Sequence, residues 1–403
     1  MEQVYQEWSR RRFINLLSAA GTGIMVSPYL SWASVEMDPK IAAIVAKTIG
    51  IDTHNHIDVP LKKEELPGPK IDLAGEMKKS GLSAICMTFA VDYQKLNNEG
   101  EAYERFLNGL TAMDKILADN DMKRALNLAD LHSFHKGHKP TVIQSVEGAH
   151  FLEGHADRLE AGYKRGLRHL TLLHDNDASV PLGDVFTNPV KFGGLTAFGS
   201  EVIKECNRLG ILVDLSHGTN EMVNAVLKIT DKPALVSHTG LDTQLGQNDF
   251  MNKMMRPRLI SKEQAKIVAE SGGVIGVWTH LADTPLAYAQ NIRAMVDVVG
   301  IDHVCIGTDT KLTPAYRSPT DSNPHQEKNP QKPADDKKTE KQADNKNQGK
   351  KNGGSNETWP DQQMGFYYTV VEAMLKTGFA EDEIAKIGGG NFCRIFDSAT
   401  AGH

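Results

Sequence analysis

Eight short β-branched runs, separated by helix-length amphipathic stretches, predict an α/β fold of the TIM-type (β/α)8 barrel kind. Five of those runs end in a histidine, glutamate or aspartate. In a barrel the carboxyl ends of all strands converge on one face, where the loops build a site. An open doubly wound sheet would gather ligands at a single switch point. Here they are spread over the first, third, fifth, sixth and eighth runs, which favours the closed barrel.

In chain order the strands are expected at 48–53, 83–89, 141–146, 168–173, 211–216, 234–237, 273–278 and 303–308. Helical periodicity fills 99–121, 154–165, 195–209, 220–229, 261–271 and 285–299. Ser261, followed by Glu263 and Gln264 before an apolar run, reads as a helix start. Two further helices are expected at 359–376 and 381–387, and Gly388-Gly389-Gly390-Asn391 reads as a tight turn into a closing segment, 392–396. One stretch breaks the pattern. From 318 to 358 there is no Val, Ile, Leu, Met or aromatic residue. Such a segment cannot bury enough apolar surface to offset its ordering entropy, so it reads as a disordered insertion after strand eight. The barrel is therefore expected over 40–317 and 359–398.

The chain has 403 residues with a net charge of -6. A pI near 6.2 offers no basic surface, so nucleic acid is not an expected partner. The four cysteines show neither close pairing nor metal-type spacing, and read as small buried hydrophobes. Residues 1–33 read as an export signal. Arg10-Arg11-Arg12-Phe13-Ile14 precedes a mildly apolar stretch, and Ser31-Trp32-Ala33 has the small residues of a cleavage site. The paired arginines are of the twin-arginine type, giving a periplasmic or secreted protein. Membrane association is expected only through an uncleaved signal.

His54 and His56 lie two apart on the first strand and so point the same way. Glu147 ends strand three, and its two oxygens could bridge two metal ions. His217 and His238, ending strands five and six, could hold a second ion. Asp309 ends strand eight, where a carboxylate could take a proton from activated water. Any one of these alone is commonplace; burying so many ionisable groups together without a metal is costly.

The landmarks Ile51-Asp52-Thr53-His54-Asn55, Ser145-Val146-Glu147-Gly148-Ala149-His150, Leu170-Thr171-Leu172-Leu173-His174, Val213-Asp214-Leu215-Ser216-His217, Val236-Ser237-His238, Gly307-Thr308-Asp309 and Gly389-Gly390-Asn391-Phe392-Cys393-Arg394 stand in one order. With them the chain resembles the membrane dipeptidase (renal dipeptidase) family of zinc peptidases, within the amidohydrolase-type barrels. The likeness runs from about Ile51 to Phe396, apart from the insertion. It implies two divalent ions, expected to be Zn2+, with His54 and Glu147 on the first and Glu147, His217 and His238 on the second. It implies that His174 meets the substrate and the developing oxyanion, that Asp309 is general base and then acid, and that Arg258 pairs with the substrate's C-terminal carboxylate. Arg256 is the neighbouring alternative for that clamp.

The family places an aspartate where this chain has His56; Asp58, two further on, is an alternative, and His56 is the expected ligand. The expected reaction is attack on the peptide bond of a dipeptide by a hydroxide bridging the two ions. The small peptide is the expected partner, with a homodimer hinted at by the family. The rival readings are a related metal-dependent amidase or lactonase acting on N-acyl amino acids or cyclic esters, and a metal- or peptide-binding homologue without turnover.

Overall fold

The computed structural model describes residues 37–93, 95–319, 354–360 and 362–403. The predicted export signal at 1–33 and positions 320–353 of the predicted insertion lie outside the described residues. All eight expected strands form: β1 (Ile51–His56), β2 (Ala84–Ala90), β3 (Thr141–Glu147), β4 (Leu167–Thr171), β5 (Leu212–Asp214), β6 (Leu235–Thr239), β7 (Val274–Val277) and β8 (Val304–Ile306). They run parallel in the order β2 to β8 followed by β1, and β1 pairs back onto β2. The sheet is therefore a closed barrel. A short β9 (Thr310–Lys311) adds to β1 after the eighth strand.

Helix α1 (Pro39–Lys47) precedes the barrel, and α2 (Leu73–Ser80) follows β1. Then come α3 (Glu101–Asp119) and α4 (Leu128–Lys136) after β2, α5 (Arg158–Lys164) after β3, and α6 (Ala197–Leu209) after β4. Next are α7 (Asn220–Ile229) after β5, α8 (Asp249–Met255) and α9 (Lys262–Glu270) after β6, and α10 (Pro285–Val299) after β7. Helices α11 (Phe366–Lys376), α12 (Glu381–Ala385) and α13 (Asn391–Thr400) complete the fold. Ser261 caps α9 as expected, accepting from the Gln264 amide at 3.1 Å. Helices α2 and α4, at 8 and 9 residues, are too short for their periodicity to stand out in the sequence.

The apolar interior has two parts. One lies between the outer strand faces and the helices. The other fills the base of the barrel, where Ile51, Leu212, Leu235 and Val274 open their strands. Phe392, Ile395 and Phe396 of α13 plug that base. All four cysteines are buried and free, Cys86 and Cys305 within the plugged interior.

Two expectations differ from the structure. The glycine run is not a tight turn: Lys386–Gly390 is a single π-helical turn leading straight into α13. Its glycines serve close approach, since a Cβ on Gly389 would lie 1.9 Å from the Ile49 carbonyl oxygen. The end of the expected insertion is also folded. Ser355–Glu357 forms one 3-10 turn, with Ser355 and Asn356 buried. Asn55 donates to Ser355 at 2.9 Å, and Asn356 donates to Glu76 at 2.8 Å. Hydrogen bonds hold these residues where apolar area cannot, which composition does not reveal.

Candidate metal centre

Glu147, the last residue of β3, is buried at the carboxyl mouth of the barrel. Five imidazole Nε2 atoms surround it: His217 at 2.9 Å, His54 at 3.3, His174 at 3.4, His56 at 3.6 and His238 at 3.7 Å. Burial alone would raise the Glu147 carboxyl, but the imidazoles of His174 and His54 hold it well below the usual range. Its Oε2 is buried and accepts no hydrogen bond. Asp309 closes the far side, its Oδ1 3.1 Å from His56 Nε2 and its Oδ2 2.7 Å from His280 Nε2. The sequence positions expected to act together are thus brought together.

Local backbone explains the aim of several of them. β1 carries one extra residue against β2 between Asp52 and Asn55, a bulge that turns His54 and His56 so their Nε2 atoms lie 3.2 Å apart. His217 and Asp309, each just beyond a strand, hold φ of 68° and 53°. Left-handed backbone at non-glycine residues costs energy and marks a position fixed by its surroundings.

The tautomers follow from the layer beneath. Asp214, at the end of β5, accepts from Thr171 Oγ1 and Ser237 Oγ at 2.6 Å, from Ser216 Oγ and Ser237 N at 2.9 Å, and from Ser216 N at 3.1 Å. Burial would raise its carboxyl, yet His169 and these donors hold it far below the ordinary value. A carboxylate only accepts, so the Ser237 hydroxyl must donate its proton to Asp214. Its lone pairs are left to accept Nδ1–H from His238 at 2.9 Å and from His54 at 3.3 Å. Both imidazoles therefore turn a bare Nε2 toward Glu147. His217 Nδ1 likewise meets Asp175 at 3.1 Å, and His56 Nδ1 meets the Tyr93 hydroxyl at 2.7 Å. Fixing the outer nitrogen so that the inner one can bind is what metal-ligating histidines do.

These inward nitrogens crowd one another, His217 and His238 Nε2 being 3.0 Å apart. Burial would lower His217, but its bonds to Asp175 and Glu147 raise it to about 9. His238 goes the opposite way, pushed well below its ordinary value by burial and by His54. Among the described residues, three groups bring ligand atoms within 4.8 Å: His54, His56 and Asp309; Glu147, His174 and His217; and His54, Asp214 and His238. In the last, five donors already occupy Asp214, so it braces the layer beneath while the Nε2 atoms of His54 and His238 face Glu147. Glu147, with its orphan oxygen, lies within 3.7 Å of the Nε2 atoms of His54, His56, His217 and His238, a mixed nitrogen and oxygen donor set that fits divalent cations.

The alternatives separate cleanly. Asp58 turns away to Lys311 at 2.6 Å, leaving His56 beside His54. Arg256 is exposed, whereas Arg258 lines the cavity over Glu147. Arg258 donates to Asp175 at 2.5 Å. His174 Nδ1 is held by Asp92 at 2.7 Å, and burial's lowering of this imidazole is outweighed by Glu147 and Asp92, which raise it. Asp92, Tyr93, Asp175, Asp214, Ser237 and His280 were not singled out as site residues from sequence. A charged residue inside an apolar run, such as Asp214, and one directly following His174, such as Asp175, were the available signals.

A closed parallel barrel whose carboxyl rim gathers five imidazoles and two carboxylates has the form of a metal-dependent hydrolase. Residues 39–316 match the family model described as membrane dipeptidase, peptidase family M19, and the chain belongs to that family. It is 26% identical over 294 residues to an uncharacterized dipeptidase of Schizosaccharomyces pombe, covering 64% of this chain and 68% of that one. It is 26% identical over 181 residues to Dipeptidase 3 of Mus musculus, covering 42% of this chain but only 34% of the mouse protein. The chain thus spans about a third of the length of that mouse relative.

Among solved structures, an amidohydrolase from Pseudomonas aeruginosa superposes with a TM-score of 0.65 at 21% identity, covering 89% of this chain and 98% of that one. A Rhodobacter sphaeroides metallo peptidase liganded with a phosphinate mimic of L-Ala-D-Ala superposes with a TM-score of 0.60 at 17% identity, covering 87% and 99%. At these identities the likeness is one of fold.

Proposed function

We propose that the chain is an exported, metal-dependent dipeptidase. The observation that carries this is Glu147: a buried carboxylate at a strand end, ringed by five imidazoles, with one oxygen accepting no hydrogen bond. His54, His56 and Glu147 would hold one divalent ion, and Glu147, His217 and His238 a second, Zn2+ being the ion this nitrogen-rich set suits. When bound, such ions supply a water whose pKa falls to about 7 and a Lewis acid for the scissile carbonyl.

The chain's own groups do the rest. Arg258 is the one Arg or Lys among the described residues lining the cavity over Glu147. Its planar fork suits the two oxygens of a substrate's terminal carboxylate. His174, held at Nδ1 by Asp92 and favoured in its protonated form by Glu147 and Asp92, would donate from Nε2–H to the place where an oxyanion develops. Asp309, steadied by His280, takes the proton of the attacking water and passes it to the leaving amine. A cavity of about 350 Å³ beside a single carboxylate clamp favours short substrates. The twin-arginine sequence at 10–14 supports export to the periplasm or beyond, and a small peptide is the partner.

The test is metal content of the purified protein together with hydrolysis of a dipeptide panel, free and C-terminally amidated. Two ions per chain with cleavage of free dipeptides alone is the expected result. Metal-free activity overturns the proposal, and cleavage indifferent to the terminus moves it to an amidase.

A further inference from the structure

We propose that Asp175 is a positioning residue that couples the substrate clamp to a metal-facing histidine. The proposal deepens the dipeptidase reading and rests on its assignments of Arg258 and His217. Asp175 directly follows His174 in the loop after β4, with its side chain 36% exposed at the rim. Its two oxygens serve two different groups. Oδ1 lies 3.1 Å from His217 Nδ1, and Oδ2 accepts from Arg258 Nη2 at 2.5 Å. One carboxylate therefore does two things at once. It fixes the proton of His217 on Nδ1, leaving Nε2 to face Glu147 at 2.9 Å. It also holds the Arg258 guanidinium over the cavity, where Phe186 lies 5.4 Å from the guanidinium carbon.

No other side chain takes this place among the described residues: Asp175 is the one carboxylate paired with Arg258 and the one group held at His217 Nδ1. The geometry explains why an acid is needed. An asparagine has one acceptor oxygen and two donor hydrogens, and both neighbours here present donors. Turned toward His217, its amide would confront Arg258 with N–H against N–H. Turned toward Arg258, it would force the His217 proton onto Nε2, the nitrogen that faces Glu147.

Three variants test this, with zinc affinity read by chelator competition, which needs no turnover, and with the preference for free over amidated dipeptide as the second readout. Asp175→Ala should weaken zinc binding about tenfold or more and narrow the preference by a similar factor. Arg258→Gln should narrow the preference alone, with zinc affinity unchanged. Asp175→Asn should keep at most one of the two properties. Because Asp175 sits at the rim, the variants should unfold close to the wild-type temperature. An Asp175→Ala protein that keeps either property, or an Asp175→Asn protein that keeps both, overturns the coupling. If Arg258→Gln keeps the preference, the clamp assignment itself fails, and the coupling fails with it. If Arg258→Gln loses the preference while Asp175→Ala keeps it, the coupling alone fails.

Discussion

Replacing Ser237 by alanine removes a single hydroxyl that fixes two histidines at once. That oxygen donates to Asp214 at 2.6 Å and accepts from His238 at 2.9 Å and His54 at 3.3 Å. In the variant both Nδ1–H groups lose their acceptor, and each imidazole becomes free to carry its proton on Nε2 instead. Loss of an outer partner of this kind costs about 10- to 100-fold in metal affinity, or about 1.4–2.7 kcal/mol. His54 and His238 belong to different ions in the proposed site, so both ions should weaken by that amount. Folding should suffer as well. One bond to a charged acceptor disappears from a buried site, which costs about 1.5–3 kcal/mol.

The control is Ser216→Ala. Its hydroxyl also donates to Asp214, at 2.9 Å, but touches no imidazole nitrogen. It should cost stability and leave metal affinity alone. The assay is dialysis against graded chelator with metal counted by mass spectrometry, alongside thermal unfolding of the metal-free proteins. A Ser237→Ala protein that holds both ions as tightly as Ser216→Ala would refute the tautomer argument.

Asp309→Asn should retain its metal and lose at least about a hundredfold in kcat, the scale of one general acid-base group; an unaltered rate removes Asp309 from the mechanism. The metal-free protein should be sensitive to alkali. His217 is raised from 6.5 to about 9, so the stability it contributes is complete below pH 6.5 and is lost as pH rises through about 9. That loss amounts to about 3 kcal/mol, read from denaturant midpoints between pH 6 and 10; a flat profile contradicts it. Gly307→Ala places a Cβ 1.7 Å from the Ser237 carbonyl oxygen, so it should cost about 3 kcal/mol or more, and wild-type melting would show that the barrel interior can give way.

Much of this was legible in the sequence because strand ends are legible. His54, Glu147, His217, His238 and Asp309 each follow an apolar run, and a closed barrel brings all such ends together. Periodicity fails where regular backbone stops. Asp58 shares the alternation of His54 and His56, but β1 ends at His56, and the chain beyond it carries Asp58 to Lys311. Arg256 and Arg258 fall in one 3-10 turn, where residues two apart point in different directions. The supports were the hard part. Asp92, Tyr93, Asp175 and His280 sit in loops whose paths are set by tertiary contacts. Ser237 carries no charge to announce its role. The glycine run misled because glycine marks a turn as readily as it marks a tight packing contact.

The plug of the barrel has a consequence for the timing of folding. The base is sealed by Phe392, Ile395 and Phe396, while the strand that opens beside them begins at Ile51. A growing chain can lay down every barrel strand and still have its lower interior open to water until α13 emerges. Contacts so distant along the chain make for slow closure and a sticky unfinished state. Synthesis interrupted before residue 391 should therefore yield a client for chaperones and proteases rather than a smaller working barrel.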